Sequence, residues 1–462
     1  MISDLVFKFV AFHLKLLGYF RILSGAKEFL KDYPVAEIAR RALKGREAIY
    51  PFGTLMQYGT AILGSTVSLP RYPRFPSLDT HIVLLPPAFT PKRLEKMVDL
   101  LREPTFEDVV LDTEIGGFKV SMPVVAGTMG STDIASRTAI AIAKACAKMG
   151  IVFGIGENVA TVRGYSKRLT RGHPCFKERL LAYLTNVDKY GGIIIQQSVE
   201  DAYDELWNRV YSDKDVEQYL DEGLIGFEIK IGQGAKPGLG GIIKIPREQV
   251  ERLKQKYHID LKGDEKYVTR YSVPGTYTED ILRGMIRNMR TNYPRVKIWI
   301  KLGPFKDALK VIKIAQEEGA HAVVIDGKEG GTAMAPCVAM QHLGYPTLAA
   351  IAYVRRARQL GFDKISLLVA GRLYDGSHVV KCIALGCSGI YIGRPLVIAA
   401  LVKGEKGVMN YLETVKVETQ MLVSALGKYD IHEISDEDVA SLDINIARAL
   451  GIRWIFDVPQ DI

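Results

Sequence analysis

From about residue 120 the chain alternates between short runs that are apolar throughout and longer segments whose apolar residues recur every three to four positions. Eight such runs stand out: VSMPVVAG (120–127), IVFGIG (151–156), GIIIQQS (192–198), GFEIKIG (226–232), VKIWIKLG (296–303), AHAVVIDG (320–327), ISLLVAG (365–371) and CSGIYIG (387–393). Between them lie helical patterns such as STDIASRTAIAIAKACAKMG and PFKDALKVIKIAQEEG. A run apolar on both alternating faces suits a strand covered on both sides, which is the situation of parallel strands joined by helices. Eight repeats over residues 119–405 predict an α/β chain folded as a (β/α)8 TIM barrel, although an open doubly wound sheet has the same periodicity. Two connections, 157–191 and 233–295, are far longer than the few residues usual between such elements. In a barrel both leave the C-terminal ends of strands, where barrel active sites are built.

Upstream, residues 1–68 read as a helical N-terminal extension. Residues 69–118 read as a proline-rich linker and a helix leading into the barrel, and residues 406–462 as a C-terminal helical segment. The stretch DLVFKFVAFHLKLLGYFRIL is strongly apolar, but Lys8, His13, Lys15 and Arg21 interrupt it, so it falls short of the ~20 apolar residues that span a bilayer. It also lacks a small-residue cleavage site. Two readings stand: a helix lying in the membrane interface through residues 1–30, or a helix packed on the chain's own core or on a partner. The expected location is cytoplasmic, with peripheral attachment to the inner face of the membrane under the first reading.

Composition changes this picture little. Hydrophobic residues make up 48% of the chain and charged residues 24%, as in an ordinary globular protein. The net charge of +9 is the small difference between 61 basic and 52 acidic residues interleaved along the chain. No basic arm, zinc finger or RNA-binding signature appears, so nucleic acid is not an expected partner. Five cysteines, with no CxxC pair, argue against a disulfide framework or a metal site and suit a reducing compartment.

Candidate chemistry concentrates at the ends of the last three predicted strands. The sixth opens into Asp326-Gly327 and then Glu329-Gly330-Gly331-Thr332, the seventh ends at Gly371-Arg372, and the eighth at Gly393-Arg394. A glycine pair alone is ordinarily a turn. Three glycine-bearing loops at consecutive strand ends, two of them with an arginine, converge on the corner where barrels bind phosphate, with backbone amides and helix N-termini facing the anion.

The segments GFEIKIGQGAKPGLGG (226–241), DGKEGGTAMAP (326–336) and AGRLYDGSHVVKCIALGCSGIYIGRP (370–395), in that order, resemble the FMN-binding synthase domain of glutamate synthase and its stand-alone relatives, over roughly residues 100–400. The resemblance implies FMN as cofactor, its phosphate on the corner just described. It also implies a lysine beside the flavin ring at Lys301, a pyrimidine-edge amide at Gln196 or Gln197, and ring contacts from the loop Ala126-Gly127-Thr128-Met129. For substrate it implies a 2-oxo acid, 2-oxoglutarate, held by Met129, Glu157, Lys230, Gln233, Lys236 and Arg247. Glu157, Lys230 and Lys301 are the catalytic candidates, with Glu157 as the proton-transfer or polar-contact group. The alternative for Lys230 and Lys236 is a structural pairing with Glu228 or Glu157.

The sequence also departs from that family's pattern. No cysteine follows Cys387, so the thiolates of an iron–sulfur cluster are missing there. The chain begins Met1-Ile2-Ser3 rather than with a nucleophilic cysteine, so ammonia is expected free or from another subunit. SVEDAYDEL after the third strand and YSVPGTYTED before the fifth replace the family's usual stretches on the substrate side. The resulting expectation is a flavin-dependent oxidoreductase making glutamate, with electrons from a donor protein or an NAD(P)H-linked subunit and the chain acting as an oligomer or complex subunit. Two rivals are an FMN-holding electron-transfer or membrane-associated subunit and an FMN barrel of the type 2 isopentenyl diphosphate isomerase kind.

Overall fold

The computed structural model describes residues 8–16, 34–49, 76–234, 236–240, 242–262, 265–330, 339 and 342–458. Eight parallel strands close into a barrel: β1 (Val124–Met129), β2 (Val152–Ile155), β3 (Gly192–Gln197), β4 (Ile225–Lys230), β5 (Lys297–Leu302), β6 (Ala322–Asp326), β7 (Ser366–Ala370) and β8 (Gly389–Ile392). These are the eight apolar runs of the sequence, and closure of β8 on β1 through Ile390–Val124 and Ile392–Ala126 settles the barrel against the open sheet. Alternation within each strand divides the two faces. Val125, Val152, Ile194, Trp299, Val324 and Leu368 fill the barrel interior. Their neighbours Val124, Phe153, Ile193, Ile298, Val323 and Leu367 pack outward under the helices.

The helical ring comprises α1 (Asp133–Lys148), α2 (Phe176–Leu184), α3 (Leu206–Tyr211), α4 (Glu279–Asn292), α5 (Ala308–Glu317), α6 (Thr347–Gln359), α7 (Gly376–Ala384) and α8 (Arg394–Ala425). Helix α8 bends sharply at Lys403 and Gly404, where Gly404 takes φ 58°, a value at which a β-carbon is disfavoured. The expected boundary between residues 405 and 406 falls immediately after this bend, inside the helix.

A hairpin of Thr113–Ile115 and Phe118–Val120 plugs the N-terminal end of the barrel. Its Ile115, Phe118 and Val120 join the interior cluster, and the Trp299 indole N–H donates to Gly116 O at 3.0 Å. With one end sealed, the other is left for chemistry.

The chain's two ends are stitched to the outside. Helix Val35–Lys44 lies on α8, where Arg41 Nη2 meets Glu418 Oε1 at 2.6 Å. Strand Ile82–Leu84 pairs with Val439–Ser441, which in turn pairs with Arg453–Trp454. The C-terminal segment therefore carries short strands as well as helices. Of the apolar N-terminal stretch, residues 8–16 are described: they are helical, with Leu14 against the core and Phe9 and Phe12 more than half exposed.

The long connection after β4 builds a unit of its own. Strands Ile242–Pro246, Tyr267–Tyr271 and His258–Asp260 form an antiparallel sheet over a small core of Ile245, Val250, Leu253, Tyr257 and Val268. This unit forms a wall at the C-terminal mouth.

Candidate active site

A cavity of about 1030 Å³ opens at the C-terminal ends of the strands. Its floor and walls bring together most of the residues singled out in the sequence. Gly127, Thr128, Met129, Glu157, Gln196, Gln197, Lys230, Gln233, Lys236, Lys301, Gly330, Gly371, Arg372, Gly393 and Arg394 all line it.

One group forms a hydrogen-bonded cation cluster. Lys230, the last residue of β4, bonds Glu157 and donates to Gln233 Oε1 at 2.7 Å. Burial raises the Glu157 carboxyl, but the neighbouring Lys230 charge outweighs it and holds the group below the usual carboxylate range. Lys236 is buried beside them, and burial followed by repulsion from Lys230 lowers its ammonium. The pairing of Lys230 with Glu157 and its place on the cavity wall are both present. A pair of this kind can orient an anionic ligand and exchange a proton with it.

A second group lies deeper. Lys301 of β5 sits 3.5 Å from Asp326 Oδ2 and 4.7 Å from the centre of the Tyr391 ring. Asp326 also accepts from Gly234 N at 3.0 Å, tying β6 to the loop after β4. Gln196 donates through Nε2 to Glu228 Oε2 at 2.6 Å, and its carbonyl oxygen has no partner among the described residues. Gln197 accepts from Trp207 N at 3.1 Å.

Glu228 is fully buried and its Oε1 has no partner among the described residues. Burial raises its carboxyl to about 7, with Lys301 and Gln196 pulling the other way. In the unfolded chain the group ionises near 4.5. Raising the pH from that value to about 7 thus ionises the unfolded state first, and stability is lost across that window. Glu228→Gln should remove the loss. Urea titrations are expected to coincide near pH 4.5 and to favour the variant at pH 8 by up to roughly 3 kcal/mol. Equal curves at pH 8 would refute the assignment.

The third group is the glycine-lined corner at the ends of β6, β7 and β8. Gly327, at the end of β6, and Gly371, after β7 with φ 121°, both pack against Thr347, the first residue of α6. Gly393 caps the N-terminus of α8, and a β-carbon there would meet nothing within 4 Å, so space lies open above the helix amides. Arg372 holds φ 55°, unusual for a residue with a side chain; its buried Nε has no hydrogen-bond partner among the described residues and lies 3.9 Å from Asp79 Oδ2. The Gly327 and Gly330 amides are spent on Ala370 O and Gly327 O, so what fits a phosphate group here is the open N-terminus of α8 together with the Arg372 guanidinium.

Four expectations need correction or qualification. Arg247 does not join the site: it lies exposed on the short helical turn Arg247–Gln249, and its Nη2 donates to Leu261 O at 3.2 Å. Glu329 turns its carboxylate away to cap α6, accepting from Thr347 N and Oγ1 at 2.9 Å each, while its carbonyl accepts from Arg394. Ala126 packs outward with Val124 in the core under the helices, with no exposure, and the Thr128 N–H is already spent on Tyr391 Oη at 2.8 Å. Gly331 and Thr332 lie outside the described residues.

The sequence reading missed other residues on the wall. Ser198, Val199 and Glu200 line the cavity, as do Val273, Pro274 and Tyr277, so both stretches that depart from the family pattern face the ligand space. Arg270, on the central strand of the extra sheet, lines it as well. The described N-terminal helix contributes Phe9, Val10, His13 and Leu14 at the mouth. Among the described residues no helix is long and apolar enough to cross a membrane, and no group of three or more His, Cys, Asp or Glu could hold a metal. Cys146, Cys175, Cys382 and Cys387 are free and buried.

A sealed barrel with paired cations and a phosphate cradle at its open end defines a (β/α)8-barrel enzyme. The chain belongs to the glutamate synthase family, a family of oxidoreductases: residues 90–403 match the model described as the conserved region in glutamate synthase. It is 30% identical over 298 residues to the archaeal-type glutamate synthase [NADPH] of Thermotoga neapolitana, covering 63% of this chain and 51% of that protein. It is 29% identical over 299 residues to the archaeal glutamate synthase [NADPH] of Archaeoglobus fulgidus, covering 64% and 51%. A glutamate synthase large subunit-like protein of Rhizobium meliloti is 27% identical, covering 48% of this chain and 60% of that protein. The chain thus spans about half the length of the first two relatives. Among solved structures, the flavin-binding domain of baker's yeast flavocytochrome b2 shares the fold, with a TM-score of 0.51 and 18% identity over 82% of this chain and 79% of that one.

Proposed function

We propose that this chain binds FMN and catalyses reductive amination of a 2-oxo acid, 2-oxoglutarate to glutamate. The observation that carries the reading is the placement of the Lys230–Glu157–Gln233 cluster in the same cavity as the glycine-lined corner and Lys301. FMN, when bound, supplies hydride transfer.

The chain's own residues do the rest. Gly371, Arg372, Gly393 and Arg394 would hold the phosphate with Gly330 lining the corner, and Gln196 and Lys301 would hold the ring. Lys230 and Lys236 hold the keto acid by charge, Gln233 orients it, and Glu157 exchanges the proton that the nitrogen centre gains or loses. Electrons come from a donor protein or an NAD(P)H-linked subunit, a role suggested by the NADPH in the relatives' names.

The test is anaerobic. Full-length protein loaded with FMN and reduced with dithionite is expected to reoxidise when 2-oxoglutarate and ammonium are added together, with glutamate appearing in equal amount. It should not reoxidise with either alone. Failure to reoxidise with both present overturns the reading.

A further inference from the structure

Arg270 is the one arginine lining the described cavity that is nine-tenths or more buried, being only 3% exposed. It sits at the middle of the extra sheet, opposite Ile243 on one side and Ile259 on the other, so its backbone is fixed by two strands. Its guanidinium lies over the Tyr257 ring, 4.3 Å from the centroid. That contact uses the flat face and leaves the N–H edge free to donate. The Nε has no hydrogen-bond partner, and no carboxylate among the described residues pairs with the group.

The surroundings hold charges of both signs, but no acid among the described residues is paired directly with this one. Arg163 donates to Ser131 O at 2.7 Å and Arg252 to Thr161 O at 2.7 Å, so the two neighbouring arginines are satisfied by carbonyls and keep their positive fields. Burial, with Arg270 as a further contributor, lowers both of them. Of the nearby acids, Asp201 is saturated by Asn158 N at 2.6 Å and Thr161 Oγ1 at 2.7 Å, and Glu200 accepts from Val273 N at 3.1 Å. A buried cation with no directly paired counter-charge among the described residues is costly, and the cost is relieved when a ligand supplies the anion.

We infer that Arg270 is a specificity-determining residue that receives a second carboxylate of the ligand entering this cavity, the part Arg247 was expected to play. The inference rests on the reading of the cavity as a 2-oxo acid site and extends it: Lys230 and Lys236 take the end near the keto group, and Arg270 takes the far end. A dicarboxylate is therefore selected over a monocarboxylate of similar length. The guanidinium fork meets a carboxylate through two N–H groups, which a lysine cannot reproduce.

The experiment is calorimetric titration of full-length, FMN-loaded protein with 2-oxoglutarate and with 2-oxobutyrate, which lacks the distal carboxylate. In Arg270→Gln the affinity for 2-oxoglutarate is expected to fall about 10- to 100-fold while that for 2-oxobutyrate holds within about 3-fold. Arg270→Lys should recover only part of the loss, and an unchanged melting temperature and flavin spectrum certify folding. The inference is overturned if wild type and Arg270→Gln bind 2-oxoglutarate equally, if both ligands weaken together, or if wild type binds neither. Arg270-dependent binding of 2-oxoglutarate without reoxidation by ammonium would sink the amination reading and leave the anchor standing.

Discussion

Lys301→Gln is expected to lower kcat by roughly 100- to 1000-fold and to move the midpoint potential of bound FMN about 60–90 mV more negative. The magnitude follows from one preorganised cation facing developing negative charge, worth about 2.7–4 kcal/mol in a water-excluded site. For a two-electron couple each 30 mV corresponds to about 1.4 kcal/mol. Lys301 can act this way because β5 presents it inward, 8% exposed, with Asp326 and the Tyr391 ring fixing its direction. Lys301→Arg keeps the charge and should restore most of the potential. Spectroelectrochemistry decides the point: an unmoved potential in Lys301→Gln rejects the role, whatever happens to turnover. FMN loading should survive in both variants, because the corner proposed for the phosphate is built from different strands.

Gly327→Ala should destabilise the protein by about 3 kcal/mol or more and abolish FMN retention. A β-carbon at Gly327 would stand 2.2 Å from Thr347 Oγ1 and 2.4 Å from Thr347 N, and one at Gly371 would stand 2.3 Å from the same hydroxyl. Thr347 is wedged between the ends of β6 and β7, and α6 begins there. The added methyl therefore pushes apart the elements that shape the corner. Thr347→Ala in the same chain removes the hydroxyl but not the amide, so it should recover only part of the loss. Chemical denaturation and flavin retention on gel filtration measure the two effects. A variant within 1 kcal/mol of wild type that still holds FMN would contradict the close packing described here.

The barrel was legible because its strands are buried on both faces and end on glycine, a pattern that survives without any knowledge of contacts. Lys230, Lys236 and Lys301 were legible through motif resemblance and through their position at strand ends. Arg247 misled because proximity in sequence to KIGQGAKPGLGG says nothing about which side of the extra sheet a residue faces. Arg270 sits in YVTRY, a β-rich alternation in which an arginine ordinarily faces water; the signal available was that Val268 and Arg270 share one face, and Val268 is buried. The plug hairpin was missed for a related reason, since Ile115 and Phe118 belong to three-residue strands too short for any periodicity to register.

The antiparallel unit after β4 has a private set of apolar contacts, from Ile245 to Val268, separate from those that hold the barrel. Side chains on its inner surface can be exchanged without disturbing the packing under β1–β8. A single scaffold can in that way keep its glycine-lined corner unchanged while one replaceable panel alters what the cavity admits.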